Sequence, residues 1–75
     1  MSVLADVSGP EAIKALRRAG WVVQRQSGSH VVLAREGVQE LIVIPVHGGR
    51  ALKRGLLLAA LRSAGLTTEE FRRLL

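Results

Sequence analysis

The chain contains no cysteine among its 75 residues. That one absence removes disulfides, thiolate metal sites and cysteine nucleophiles, and it fits a reducing compartment such as the cytoplasm. Long apolar runs are also missing. The longest, Leu56 to Leu61, falls far short of the roughly 20 residues a membrane-spanning helix requires. Met1 is followed by Ser2-Val3-Leu4-Ala5-Asp6, which has neither the cationic start nor the apolar stretch of a secretory signal. A cytoplasmic location is therefore expected. Carboxylates are few and scattered, six in all, which disfavours paired-carboxylate and two-metal chemistry. Two histidines without cysteine supply too few ligands for zinc, so no metal or other cofactor is expected. Gly48-Gly49 lacks the spacing and the following Lys-Ser/Thr of a nucleotide-binding loop.

What the chain does have is a surplus of arginine. Between residues 12 and 65, nine basic residues face two acids, Glu36 and Glu40, and nine of the eleven cations overall are arginine. The excess of seven charges suits a polyanionic partner, either nucleic acid or an acidic protein, and arginine's forked donors suit phosphate. The basic groups that stand out are Arg25, the trio Lys14, Arg17 and Arg18, and the trio Arg50, Lys53 and Arg54. The second trio lies either at the start of a helix, where the macrodipole disfavours cations unless an anion is bound, or in the loop before a helix that starts at Gly55.

With 48% hydrophobic residues the chain should fold, as a single domain over 1–75 with residues 1–8 as a lead-in. A chain this short buries only about 60% of its unfolded surface, so chemistry is expected on a surface or in a shallow groove. Ser8-Gly9-Pro10-Glu11 reads as a capping box opening a helix over about 9–19, stopped by Gly20. The β-branched runs Trp21 to Gln26, His30 to Arg35 and Glu40 to Val46 predict a three-stranded antiparallel meander, with Pro45 near the end of the third strand or on an edge. A second helix is expected from Lys53 to Ala64, with Leu57, Leu58 and Leu61 inward and Gly65 as its stop. Thr67 to Glu70 reads as a capping box for a short terminal helix whose Phe71, Leu74 and Leu75 face the core. The order α-β-β-β-α plus a small helix is an α+β fold, with helices on one sheet face and the other face open.

Two hairpin registers surround His30. A two-residue turn at Ser27-Gly28 sets Arg25 across from it, and a three-residue loop, Ser27-Gly28-Ser29, sets Gln26 there. The longer loop groups Trp21, Val23, Val31 and Leu33 as a core face and Val22, Gln24, Gln26, His30 and Val32 as the open face, and it is preferred for that reason. The second hairpin brings His47 to the same end of the sheet. Two imidazoles beside Arg25 and Ser29 of the Gly-Ser loop suit metal-free phosphodiester chemistry: histidine moves a proton near neutral pH and arginine steadies phosphate charge.

Leu16-Arg17-Arg18-Ala19-Gly20-Trp21, Arg25-Gln26-Ser27-Gly28-Ser29-His30, Ile44-Pro45-Val46-His47, and Gly55 followed by Leu61-Arg62-Ser63-Ala64-Gly65-Leu66 together carry a resemblance. The chain resembles the HicA-type mRNA interferase toxins of bacterial toxin–antitoxin systems over about residues 9–75. The resemblance implies a double-stranded-RNA-binding-like fold, metal-independent endoribonuclease activity on mRNA, and neutralisation by a HicB-type antitoxin. The family's catalytic histidine falls on His30, with His47 and Arg25 as further candidates. RNA contacts are expected from Arg25, Ser29, Arg50, Lys53, Arg54, Lys14, Arg17 and Arg18. The open face, through Val22 and Val32, is expected to meet the antitoxin, with self-association as a homodimer the other use of that patch. A non-catalytic RNA-binding module of the same fold is the alternative function.

Overall fold

A computed structural model describes residues 6–75; the expectations placed on residues 1–5 lie outside that range. The first helix, α1 (Gly9–Arg18), begins where its capping box predicts. The Glu11 amide donates to Ser8 Oγ at 3.2 Å, and the Ser8 amide donates to Glu11 Oε1 at 3.0 Å. These bonds satisfy donors that the first helical turn otherwise leaves unpaired. Ala12, Ala15 and Leu16 turn inward, and Gly20, at φ 100°, lets the chain reverse into the sheet. The fold begins before the helix: Val7 is buried in the core, and its carbonyl accepts from the Leu52 amide at 2.7 Å. The expected lead-in is thus part of the domain from Val7 onward.

The sheet is antiparallel in the order β1 (Val22–Ser27), β2 (His30–Ala34), β3 (Ile42–Pro45). The preferred three-residue hairpin loop is corrected. Ser27 pairs with His30 across a two-residue Gly28-Ser29 turn, in which Gly28 adopts φ 58°, the sign such turns need at their first central position. The physical reason is a bulge: the register shifts between Val23 and Arg25, leaving Gln24 without a partner. A bulge reverses the alternation along the rest of the strand. Val23 therefore faces Leu33 as expected, while Gln26 faces Val31 on the helix side rather than standing beside His30. Pro45 ends β3, an edge strand, as its missing donor predicts.

The return from the sheet runs past an isolated Ser8–Ala51 bridge into α2 (Arg54–Ala64), which ends on left-handed Gly65 at φ 69°. The short α3 (Thr68–Leu74) opens on a Thr67/Glu70 capping box. Leu16, Trp21, Val31, Leu33, Ile42, Ile44 and Ala60 form a core between the sheet and the helices. Val7, Ala12, Ala15, Leu57, Leu61 and Phe71 form a second cluster. Leu75 is 45% exposed and lies outside the core it was expected to join. The architecture is the expected α+β, with helices on one face of a sheet whose other face is open. Among the described residues, no helix is long and apolar enough to cross a membrane.

Candidate functional site

His30 is the first residue of β2 and is exposed. The next residue, Val31, points into the helix-covered core, so alternation turns His30 to the open face. Being on the central strand, His30 has a ladder partner on each side: Ser27 on β1 and Pro45 on β3. Arg25 pairs with Val32, which places it on the open face diagonally from His30, within the reach of a long side chain. Ser27 is the residue the sequence reading missed. Its hydroxyl-bearing side chain stands directly across from His30, a position that only the two-residue turn creates. Gln26 serves the turn from the other side of the sheet, its amide donating to the Gly28 carbonyl at 3.1 Å.

The register that pairs His30 with Pro45 continues one residue further, where the Val46 amide donates to the Ser29 carbonyl at 2.6 Å. His47 follows and leaves the sheet. It is exposed at the same end as His30, as expected, and helps line a cavity of about 300 Å³ with Pro45, Arg50, Leu52, Lys53 and Leu56. That cavity adjoins the start of α2, where Lys53 is the N-cap, no side chain caps the free amides, and no acid stands in the first turn. Pro45 is thus shared: it faces His30 across the ladder and walls the cation-lined cavity.

The other basic trio is not brought to this place. Lys14, Arg17 and Arg18 border a groove between α1 and β1 that includes Val31, a residue of the helix-covered face. Arg18 is engaged with the end of α3, its guanidinium donating to the Leu74 carbonyl at 2.8 Å. The expectation for Val32 is corrected as well. Val22 is 64% exposed, but Val32 is only 6% exposed, because it sits on the central strand with Arg25 and Val43 as lateral partners. Val43 and Leu41, both 47% exposed, provide the apolar surface expected of the third strand.

The arrangement is an exposed imidazole with a hydroxyl across from it, a guanidinium on the diagonal, and a cation-lined cavity beyond Pro45. Such a group can take or give a proton beside a bound phosphate. Among the described residues, no three His, Cys, Asp or Glu side chains gather where a metal ion could be held. No curated protein matches the chain. The family model described as the HicA toxin of bacterial toxin–antitoxin systems matches residues 9–66, the span that holds α1, the whole sheet and α2. The chain therefore belongs to the HicA toxin family, the toxin component of a bacterial toxin–antitoxin pair.

Proposed function

We propose that this toxin is an endoribonuclease that cleaves mRNA by histidine acid–base chemistry. The observation that carries the reading is the position of His30, exposed between Ser27 and Pro45 and diagonal to Arg25. The ribose 2′-hydroxyl attacks the adjacent phosphorus, forming one P–O bond while the bond to the 5′-oxygen of the next nucleotide breaks. The products are a 2′,3′-cyclic phosphate and a free 5′-hydroxyl. His30 takes the proton from the 2′-hydroxyl or delivers one to the leaving oxygen, and His47 is the candidate for the complementary transfer. Arg25 steadies the charge that builds on the phosphoryl oxygens, with hydroxyl donors from Ser27 and Ser29. Arg50 and Lys53, which line the cavity beyond Pro45, hold a flanking phosphate there, which explains cations gathered beside a helix start that otherwise disfavours them.

Neutralisation follows from the same surface. A HicB-type antitoxin laid on the open face would cover Val22, Val43 and Leu41 together with His30, so inhibition needs no conformational change. Acidic groups on that antitoxin would answer the chain's charge of +5.

Incubation of the protein with RNA in excess chelator tests the reading. The expected result is cleavage with cyclic-phosphate ends, absent for a folded His30→Ala variant. RNA binding without cleavage by the unaltered protein would overturn the enzymatic proposal and leave a binding module.

A further inference from the structure

The groove between α1 and β1 encloses about 780 Å³, and the chemistry proposed at His30 makes no use of it. Its floor is aliphatic, formed by Ile13, Val23, Val31 and Val46, and its α1 side carries Lys14 and Arg17. Val31 lies on the helix-covered face, so the groove and His30 are on opposite faces of the sheet. We infer that this groove is a docking site for an acidic amphipathic helix of a protein partner.

Charge and spacing identify the occupant. Lys14 and Arg17 are paired with no carboxylate among the described residues, unlike Arg72, which meets Glu69 at 2.7 Å. Three residues apart on a helix, the two cations share one side of α1. Acids one turn apart on a helix lying alongside would meet both, while that helix's apolar stripe covers the aliphatic floor. An extended strand fits less well, because the Gln24 bulge interrupts β1 and bulged edges resist strand addition. Single-stranded RNA fits less well again. A base laid on this aliphatic floor would have nothing to stack against, since no aromatic side chain lines the groove. A phosphate-coated duplex would leave the aliphatic floor uncovered. This inference is independent of the ribonuclease reading, since its site contains neither histidine.

The test is an amide NMR titration of the whole protein with a synthetic peptide of roughly four helical turns. Leucines stand at the i, i+3, i+4 and i+7 positions and glutamates flank them; a lysine-flanked version and a single-stranded RNA oligonucleotide are the comparison arms. The glutamate peptide is expected to bind saturably and to shift the amides of Ile13, Lys14 and Val23. The doubly reversed variant Lys14→Glu/Arg17→Glu is expected to weaken binding at least tenfold. Val23→Asp is expected to do the same without unfolding, because Val23 is 39% exposed; thermal unfolding checks both variants. Equal binding of the lysine-flanked peptide, shifts confined to the His30 face, an unchanged affinity in the variants, or displacement of the peptide by the oligonucleotide from these same amides would each overturn the inference.

Discussion

His30 and Pro45 are ladder partners, and Pro45 is at once the last residue of β3 and a wall of the cavity lined by His47, Arg50 and Lys53. A proline at this point donates nothing to a further strand, so the edge beside His30 stays open. In the proposed reaction, an RNA backbone crossing that edge would pass from the cations to the imidazole without meeting a covering strand. The relationship places the proposed proton carrier and the proposed phosphate anchor on the two sides of one residue, and the tests at this end of the sheet separate their contributions.

Replacing His30 by alanine should lower RNA cleavage by at least about 10²-fold, the scale of a single positioned acid or base. The side chain is exposed at the start of a strand, so stability should change by no more than about 0.5 kcal/mol. Single-turnover cleavage and chemical denaturation of the same preparation check both halves. A folded His30→Ala protein that cleaves at the original rate would exclude His30 as the proton carrier. His47→Ala should reduce the rate less, because His47 lies outside the ladder.

The cations beyond Pro45 should appear in the salt dependence of binding. Each phosphate neutralised on a single strand contributes about 0.7 to the slope of log affinity against log salt. Arg50→Gln/Lys53→Gln should therefore lower the magnitude of that slope by about 0.7, the share of the one flanking phosphate they are proposed to hold, measured by fluorescence anisotropy with the cleavage-deficient His30→Ala background. An unchanged slope would place the backbone contacts elsewhere on the chain.

The helix boundaries were legible in the sequence because they are set by local chemistry. Ser8 with Glu11, Thr67 with Glu70, and Gly20 and Gly65 each act within a few residues of the boundary they mark. The hairpin register was not legible. Nothing in Val22-Val23-Gln24-Arg25-Gln26 distinguishes Gln24 as the residue to be bulged, and strict alternation then misplaces Gln26 and hides Ser27 as His30's partner. Alternation did assign Val32 to the face opposite the core. Its burial comes from partners on both flanks, a property of a central strand rather than of a residue pattern. His30 and the Arg50/Lys53 cations could be nominated from residue type. Their separation from Lys14 and Arg17 depends on which sheet face the helices cover, which only the layering reveals.

Acid should weaken the fold through its two capping boxes. Hydrogen bonds from the Ser8 backbone and side chain hold the Glu11 carboxyl below its ordinary value, and those of Thr67 do the same for Glu70. A carboxyl whose folded value is depressed contributes stability that is fully present above its unfolded value and is lost as pH falls through the folded one. Melting temperature should therefore be flat in this respect down to about the ordinary carboxylate value of 4.5 and decline below it. Glu11→Gln/Glu70→Gln should flatten the decline between pH 4.5 and the acid limit, as followed by circular dichroism. A double variant with the same acid profile as the unaltered protein would show that the caps do not govern it.

Gly9 offers a test that links the helix to the site. A helix start favours alanine over glycine by up to about 1 kcal/mol on propensity alone, so Gly9→Ala at an exposed position would stabilise. Here a Cβ on Gly9 would stand 2.6 Å from the Pro45 carbonyl oxygen and 3.3 Å from the Val46 Cα. Both obstacles are backbone, so the accommodation must come from α1 or from the end of β3. Overpacking of this kind costs about 1–3 kcal/mol, which exceeds the propensity gain, and Gly9→Ala should lower stability by on the order of 1 kcal/mol. Because the displaced residue is the ladder partner of His30, cleavage should fall as well, although Gly9 touches no proposed reacting group. A matched substitution at Gly55, where a Cβ meets nothing within 4 Å, should stabilise α2. Denaturation and cleavage measured on both variants decide the point: a Gly9→Ala protein as stable and active as the Gly55→Ala protein would show that the contact between α1 and Pro45 does not hold the site in place.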